Sequence, residues 1–173
     1  VGQGLDVRAA VLDAVETRLE DRSYYRCRET GLLYMRRFLP SAIAYTERYF
    51  FEEYQRQYGR TYLEDFDHIK EMGRSRLGRI TRALPASSRP NRHSSPPALL
   101  DVGCAYGPFL AAATAAGFDA YGLDVAGEAV RHVREKLRLP AAEASLESAD
   151  TVELFGRKSF DVITMWYVIE HLP

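Results

Sequence analysis

The chain of 173 residues is 46% hydrophobic and 27% charged, a composition that predicts a folded globular protein and excludes wholesale disorder. Its formal net charge of -1 provides no global field that would attract nucleic acid or an anionic membrane. No stretch approaches the roughly 20 apolar residues of a membrane span, and no charged-then-apolar leader opens the sequence. The two distant cysteines, Cys27 and Cys104, form no disulfide framework, so a cytoplasmic protein is expected.

The first 84 residues predict a helical cap region. Residues 5–21 place apolar side chains along one helical stripe, and further helices are predicted over residues 41–58 and 61–84. Between the first two helices, residues 24–27 predict a short extended piece and Thr30-Gly31 predicts a turn.

Aromatic residues are concentrated in this region, since eight of the eleven tyrosines lie between Tyr24 and Tyr62. Such a concentration is typical of the core of a small helical layer. The alternative is an aromatic cap that closes over a substrate. In that case Tyr45, Tyr49 and Tyr58 are the side chains expected to contact the substrate.

A linker follows, and after it the pattern changes. Residues 85–97 contain four prolines and four serines without a large apolar residue, which predicts a domain boundary. Beyond it, predicted strands and helices alternate, at residues 98–102, 109–116, 120–123, 129–139, 141–145 and 162–166. This alternation predicts an α/β domain over residues 98–173, with a parallel sheet and crossover helices.

The turn after the first of these strands carries the chemistry. Gly103 permits a backbone conformation closed to other residues, and Ala105 leaves no bulk where a ligand would approach the main chain. The next helix offers unpaired amides, and Asp124, at the end of the following strand, can accept both hydroxyls of a ribose. An ordinary strand–helix turn with an incidental acid is the alternative interpretation.

The ligand indicated is a nucleoside but not a dinucleotide. Counted from Gly103, a G-x-G-x-x-G fingerprint would need two further glycines, where this chain has Ala105 and Pro108. Asp101, two residues before Gly103, can meet a positively charged amino group. A ligand with an α-amino acid at one end and adenosine at the other therefore fits better than NAD.

Three segments resemble, in the right order, motifs of the class I S-adenosylmethionine-dependent methyltransferases, in their small-molecule branch. Residues 99–107, L-L-D-V-G-C-A-Y-G, resemble the first motif, with Ala105 in place of its middle glycine. Residues 121–125 resemble the second motif, and residues 159–172 resemble the fourth, F-D-V-I-x-x-x-x-V-x-E-H-L. The resemblance implies a Rossmann-like doubly wound sheet, S-adenosyl-L-methionine as cofactor, and methyl transfer to an O, N or C nucleophile of a small molecule.

The resemblance also implies a set of cofactor-binding residues: Asp101, Gly103, Ala105, Gly107, Asp124, Leu146, Glu147, Met165 and Trp166. Within this set, Asp101 and Gly103 would hold the methionine end of the cofactor. Asp124 would hold the ribose, and Leu146 or Glu147 would flank the adenine.

The segment after the last predicted strand is expected to lie beside the transferred methyl group. Met165 and Trp166 would line this methyl site. His171 is a candidate general base, because imidazole titrates near neutral pH, and Glu170 is a candidate orienting acid. Cys104 is expected to be a small turn filler rather than a nucleophile.

Residues 25–34 resemble half of a zinc ribbon, C-x-x-C-G-L-L-Y, that precedes some of these methyltransferases. Thr30 stands at the position of the second cysteine. The single thiol of Cys27 cannot form a tetrahedral cysteine site, so a remnant without metal is expected. A chance cysteine before a turn is the alternative.

The predicted sheet has four strands, against roughly six in a complete doubly wound sheet. Because neither end of the chain resembles a natural terminus, the sequence predicts a C-terminally truncated fragment that is marginally stable and inactive. A non-catalytic cofactor-binding or partner module is the alternative function, and a nicotinamide oxidoreductase is a weaker one. No nucleic acid or membrane partner is expected, and the oligomeric state stays open.

Overall fold

A computed structural model describes residues 12–18, 22–37, 49–90 and 95–169. The chain forms two compact units, Val1–Ile43 and Ala44–Pro173. Within the described ranges, no helix is long and apolar enough to cross a lipid bilayer.

The described part of the first unit is a three-stranded antiparallel sheet. Its strands, β1 (Leu12–Arg18), β2 (Arg22–Cys27) and β3 (Leu33–Arg37), lie side by side in chain order. The predicted extended piece is confirmed as part of β2, and the predicted turn is confirmed as the β2–β3 connection. There Gly31 has a φ of 71°, and the Cys27 amide donates to the Leu32 carbonyl oxygen at 2.8 Å.

The helix predicted over residues 5–21 is wrong where the structure describes it, because β1 occupies residues 12–18. The register of β1 against β2 shifts between Leu12 and Val15 and again between Val15 and Thr17. Such irregularities break the strict alternation by which a strand is identified in a sequence, and the remaining apolar spacing imitates a helical stripe. The prediction of a helical cap region over residues 1–84 is corrected accordingly, because the described part of its first 37 residues is a sheet.

The second unit contains a four-stranded parallel sheet, made of β4 (Ala98–Val102), β5 (Asp119–Asp124), β6 (Ala141–Glu143) and β7 (Val162–Thr164). The strand order is β6-β5-β4-β7, and every neighbouring pair is parallel. The chain winds outward from β4 to β6 and then returns to place β7 on the other side of β4. This is the order of a Rossmann-like doubly wound sheet and confirms the predicted α/β class.

The described part of this unit has five α-helices: α1 (Tyr54–Tyr58), α2 (Phe66–Ala83), α3 (Pro108–Ala115), α4 (Gly127–His132) and α5 (Thr151–Phe155). A π-helical turn, Tyr49–Glu53, precedes α1, another, Val133–Leu137, continues α4, and Ala86–Ser88 is a 3-10 turn. The predicted helices over 61–84, 109–116 and 129–139 are confirmed as α2, α3 and α4 with its continuation. The helix predicted over 41–58 is confirmed from residue 49, and residues 41–48 lie outside the described ranges.

Helix α2 packs directly against α3. A Cβ atom built on the buried Gly73 would lie 3.1 Å from Phe109 Cδ2 and 3.3 Å from Ala112 Cβ. Leu77, one turn later, is 2% exposed and shares a core cluster with Phe109. The predicted boundary at 85–97 is therefore corrected, since a proline-rich composition carries no information on whether the flanking elements pack together.

Strand β4 is one of the two inner strands of the sheet, and all five of its residues are buried. Because the strands are parallel, their carboxyl ends lie at one edge of the sheet. The turn after β4 and the terminal Asp124 of β5 are thus brought together at that edge.

Candidate functional site

The turn between β4 and α3, residues 103–107, is fixed to the end of β5. The amides of Gly103 and Cys104 both donate to the Leu123 carbonyl oxygen, at 2.7 and 3.1 Å. Gly103 has a φ of 74°, and a Cβ atom there would overlap the side chain of Val168. Only glycine fits this position, in agreement with the role that the sequence predicts for it.

Two further residues of the turn have left-handed backbone. Ala105, which replaces the middle glycine of the motif, keeps a glycine-like φ of 47°. This conformation costs an L-residue about 1–2 kcal/mol, so the surrounding contacts must hold it. Gly107 has a φ of 80°, and a Cβ atom there would lie 2.8 Å from Leu137 Cδ1 and 2.9 Å from Val133 Cγ2.

Asp124 anchors the turn from the end of β5. Its Oδ2 accepts a hydrogen bond from the Ala105 amide at 2.7 Å, and its Oδ1 accepts one from the Ala126 amide at 2.9 Å. Burial raises the pKa of the Asp124 carboxyl, while these amides act in the opposite direction. Since a carboxylate has about four acceptor positions, two remain for the hydroxyl groups of a ligand.

Asp101, on β4, is the second buried acid at this edge. It is 2% exposed, and Thr164 of β7 donates from Oγ1 to its Oδ1 at 2.7 Å. Burial raises the pKa of Asp101 to about 7, although the hydrogen bond from Thr164 opposes the rise. No ion pair to Asp101 forms within the described ranges. A buried carboxylate without an ion-pair partner is suited to bind a positively charged ligand group.

A cavity of about 330 Å³ lies against the turn, and its volume falls in the roughly 300–1,000 Å³ range of small-molecule pockets. We call it the first cavity. It is lined by Phe50, Tyr62, Val102, Gly103, Ala105, Leu123, Asp124, Val125, Ala144, Ser145, Leu146, Glu147, Trp166, Tyr167 and Val168. The lining is mostly apolar, with the Asp124 carboxylate among a few polar groups, as expected for a site that binds a nucleoside.

A second cavity of about 330 Å³ adjoins the first, with which it shares Tyr62, Gly103, Trp166 and Tyr167. Its remaining lining residues are Tyr54, Tyr58, Asp65, His68, Ile69, Met72, Arg76, Asp101, Cys104, Pro108 and Phe109. Two ligands, one in each cavity, would therefore meet beside Gly103 and the Trp166 ring.

The residues expected to bind the cofactor fall into three groups. Those that line the first cavity are Gly103, Ala105, Asp124, Leu146, Glu147 and Trp166. Asp101 lines the second cavity. Gly107 and Met165 line neither, because Gly107 precedes α3 as its N-cap and Met165 packs against a buried cluster of the sheet. The candidate base His171 lies outside the described ranges, as do Tyr45 and the side chain of Tyr49.

Aromatic residues before α2 contribute to the walls of both cavities. The Phe50 ring lies edge-on to Tyr62 and Tyr106, with centroid distances of 5.3 and 5.0 Å. The Tyr54 ring lies 5.1 Å from Tyr62 and 4.4 Å from Tyr58. These rings pack as a small core, as one interpretation of the tyrosine-rich segment predicts, and they also line the cavities, while closure over a substrate stays a prediction. Phe50, Tyr54 and Tyr62 are not among the residues that the sequence predicts to contact a ligand, although the spacing of four positions between Tyr54, Tyr58 and Tyr62 was a usable signal.

Cys104 lies inside the turn. It is 2% exposed, and a Cβ atom built on Gly122 would lie 2.7 Å from its Sγ. Burial raises the pKa of the Cys104 thiol well above its usual range, so the thiolate is disfavoured. The residue therefore fills space. Among the described residues, no group of three or more side chains is placed to hold a metal ion.

A family model described as a methyltransferase domain matches residues 54–173 of the chain. The matched range runs from α1 through the sheet and includes every lining residue of the two cavities except Phe50. No curated protein matches the chain.

Several solved structures are similar to the chain. DesVI from Streptomyces venezuelae is 21% identical, with a TM-score of 0.41 over 60% of this chain and 37% of that chain. The sugar N-methyltransferase KedS8 from a Streptoalloteichus species is 24% identical, with a TM-score of 0.45 over 79% of this chain and 46% of that chain. A SAM-dependent methyltransferase from Archaeoglobus fulgidus is 17% identical, with a TM-score of 0.42 over 70% and 45%. The chain thus spans less than half the length of each of these proteins, and because the TM-scores lie below 0.5, the family assignment depends on the domain match.

Proposed function

Because the chain belongs to the methyltransferase domain family, we propose that S-adenosyl-L-methionine binds with its nucleoside in the first cavity and its methionine end beside Asp101 in the second, where a small-molecule methyl acceptor also enters. One observation carries the proposal: two buried carboxylates, Asp101 and Asp124, flank a glycine turn at the edge of a parallel sheet, where the two cavities meet. The acceptor atom in this proposal is an O, N or C nucleophile.

The residues present fit the proposed cofactor. Asp101 is a buried carboxylate suited to the ammonium group of the methionine end. Asp124 has acceptor positions left for the two ribose hydroxyls, and Gly103 leaves the main chain accessible. Leu146 and Glu147 line the first cavity beyond the end of β6, which suits the adenine.

When bound, S-adenosyl-L-methionine supplies a methyl group activated by a positively charged sulfonium. This chain's residues hold and orient the two ligands, and positioning of this kind can lower a barrier by about 7–11 kcal/mol. The rings of Tyr62 and Trp166 exclude water where the cavities meet. In the same proposal Met165 supports Trp166 from the sheet, and His171 takes the acceptor proton where the acceptor carries one.

We also propose that the β2–β3 hairpin is a zinc-ribbon remnant. Cys27 ends β2, and the Thr30 hydroxyl that follows lowers the pKa of its thiol. The two side chains thus interact, as the two cysteines of a ribbon half would through their metal. Calorimetric titration with zinc is expected to show no binding at one ion per chain, and tight binding would contradict the remnant.

Calorimetry with S-adenosylhomocysteine tests the proposed cofactor site. The demethylated product keeps the ammonium, ribose and adenine, so it is expected to bind with one site per chain. Val125 is 52% exposed and lines the first cavity, whereas Val152 is 46% exposed on α5 and lines neither cavity. Val125→Arg is therefore expected to abolish binding, and the matched control Val152→Arg is expected to leave it unchanged.

Each contrary outcome has a specific meaning. Absence of heat with S-adenosylhomocysteine in the unmodified chain would refute the proposed function. Heat with NAD and not with S-adenosylhomocysteine would favour a nicotinamide enzyme. Equal losses of S-adenosylhomocysteine binding in Val125→Arg and Val152→Arg would show that the substitutions disturb folding rather than the first cavity.

A further inference from the structure

Tyr167, three residues after the end of β7, has a left-handed backbone with a φ of 59°. An L-residue in this conformation is strained, because its Cβ atom crowds the following carbonyl group. Only two other described residues that are not glycine have a positive φ, Ala105 and Arg138. Since Ala105 belongs to the turn of the candidate site, two of the three strained residues lie at this edge of the sheet.

The Tyr167 side chain gains little from the protein in return for this strain. It is 74% exposed, the largest exposed fraction of any large hydrophobic residue in the described ranges. Its hydroxyl lies 3.4 Å from the Arg76 guanidinium, a long hydrogen bond, and the guanidinium carbon is 5.5 Å from the centroid of the ring. Burial and hydrogen bonding therefore do not explain a tyrosine at this position.

The residues on both sides of Tyr167 are anchored. The Trp166 ring packs edge-on against Phe109, with centroids 5.4 Å apart. Val168 fills the space beside Gly103, where an added Cβ atom would overlap it. Because both neighbours are held, the backbone of Tyr167 cannot relax, and its ring is presented at a defined place. Strained residues that the surrounding contacts maintain in this way cluster at sites that bind ligands.

That place is the junction of the two cavities. Tyr167 lines both of them, together with Tyr62, Gly103 and Trp166. In the proposed function the methyl group passes from the cofactor to the acceptor at this junction. An exposed ring here can contact an acceptor without first leaving a packed core.

The second cavity has few free groups for an acceptor rich in hydroxyls. In the proposed function, Asp101 faces the cofactor ammonium. Asp65, the other lining carboxylate, accepts hydrogen bonds from the Tyr54 hydroxyl at 2.9 Å and from the Arg60 guanidinium at 3.1 Å. A sugar-like acceptor would need such acceptor atoms for its O–H groups. Most of the remaining lining is aromatic or apolar.

We propose that Tyr167 determines acceptor specificity by stacking on the methyl acceptor, and that the acceptor is an aromatic or heteroaromatic compound. This inference rests on the proposed function, because it places the acceptor where the cavities meet. Aromatic rings attract one another in offset or edge-on arrangements, beyond the effect of their buried area. The strained backbone of Tyr167 holds the ring at the junction, so that the reacting atom of a stacked acceptor lies beside the methyl group.

Calorimetry in the presence of S-adenosylhomocysteine tests the preference for an aromatic face. The probes are 2-naphthol, its saturated analogue decahydro-2-naphthol, and methyl β-glucoside as a hydroxyl-rich ring. The saturated analogue keeps the carbon skeleton and the hydroxyl, so its difference from 2-naphthol measures the contribution of the aromatic face. We expect 2-naphthol to bind at one site per chain, the saturated analogue to bind roughly threefold or more weakly, and the glucoside to give no saturable heat.

Variants of Tyr167 assign this preference to the ring. Tyr167→Phe keeps the ring and is expected to bind 2-naphthol as the unmodified chain does. Tyr167→Ala and Tyr167→Gly are expected to bind 2-naphthol no more tightly than its saturated analogue. Ile169 is 70% exposed and lines neither cavity, so the control Ile169→Ala is expected to keep the preference. In urea, Tyr167→Gly is expected to unfold at a higher concentration than Tyr167→Ala, because glycine adopts this φ without strain.

The inference is overturned if 2-naphthol does not bind, if either comparison compound binds as tightly, or if Tyr167→Ala keeps the preference. It is also overturned if Tyr167→Phe or Ile169→Ala loses the preference, or if Tyr167→Gly is no more stable than Tyr167→Ala. Loss of S-adenosylhomocysteine binding in Tyr167→Ala would assign the ring to the cofactor and overturn it as well.

S-adenosylhomocysteine binding by the unmodified chain separates the two proposals. If this compound binds while the results with 2-naphthol fail, the acceptor inference alone is wrong and the cofactor site stands. If it does not bind, the proposed function is refuted and the acceptor inference is refuted with it.

Discussion

Replacing Asp101 with asparagine is expected to stabilise the chain and to weaken its cofactor site at the same time. In the folded protein burial raises the pKa of Asp101 from 3.8 to about 7. The folded state therefore holds this proton more tightly than the unfolded state. Below pH 4 the group is protonated in both states and has no effect, and its destabilising effect grows from pH 4 to pH 7 and is complete above pH 7.

The size of the effect follows from the shift. Each pKa unit corresponds to about 1.4 kcal/mol, so a rise of about three units sets an upper limit of roughly 4 kcal/mol. Asparagine is neutral at every pH and can still accept the hydrogen bond that Thr164 donates to Oδ1 at 2.7 Å. For a chain of this size we expect Asp101→Asn to raise Tm by roughly 5–10 °C at pH 8 and to leave it nearly unchanged at pH 4.

Thermal unfolding between pH 4 and pH 8 measures the first half of this prediction, and calorimetry with S-adenosylhomocysteine measures the second. Removing the carboxylate that, in the proposed function, faces the cofactor ammonium is expected to weaken binding roughly 30-fold or more. Glu135, exposed on the turn that continues α4, provides the control Glu135→Gln, which is expected to change stability by less than about 0.5 kcal/mol at any pH. A Tm difference independent of pH, or unchanged affinity in Asp101→Asn, would refute the reasoning.

Four further substitutions test the turn and the helix that packs beside it. Gly73→Ala is expected to destabilise the chain by about 1–3 kcal/mol, because its Cβ would press on α3. Gly78→Ala, whose added Cβ would have its nearest atom 3.8 Å away, is expected to stabilise the chain by about 1 kcal/mol. Urea unfolding measures both free energies, and changes of the same sign would contradict the packing of α2 on α3. Ala105→Gly is expected to raise the free energy of unfolding by about 0.5–1 kcal/mol, because it relieves a φ of 47°, and a decrease would show that this backbone is unstrained. Asp124→Asn places an amide NH₂ against a backbone N–H, so we expect the free energy of unfolding to fall by about 1–3 kcal/mol. We also expect calorimetry to show weaker binding of S-adenosylhomocysteine, and unchanged affinity would exclude Asp124 from the ribose site.

The sheet and its glycine turn were predictable because they depend on short-range patterns. Continuous apolar runs specify buried parallel strands, and the conformation of Gly103 is required by any strand–helix turn of this shape. Helix α5 was not predicted, although Asp150 accepts hydrogen bonds from the amides of Val152 and Glu153 at 2.8 and 3.2 Å and Gly156 ends the helix with a φ of 68°. Its N-cap acid and terminal glycine were visible in the sequence, but five residues are too few for a helical period to show.

The other differences between the sequence predictions and the structure have one physical origin, because they depend on packing contacts between elements that are far apart in the sequence. Gly73 is a position where α3 lies close against α2, and no local pattern in α2 reveals that contact. The second cavity exists because α2 lies beside the turn after β4, so the position of Arg76 over Trp166 could not be read from residues 90 positions apart. Asp101 and Asp124 could be predicted as site residues from the sequence, whereas the α2 side chains that line the second cavity could not.

The hydrogen bonds of Asp124 have a consequence for how fast a ligand binds. Because its carboxylate accepts hydrogen bonds from the amides of Ala105 and Ala126, the shape of the turn is held by contacts within the chain itself. Sites that need no rearrangement bind in one step, without the slow phase that loop ordering adds. The observed association rate of a nucleoside at this edge should therefore rise linearly with its concentration, and the residence time, rather than the arrival rate, should set the affinity.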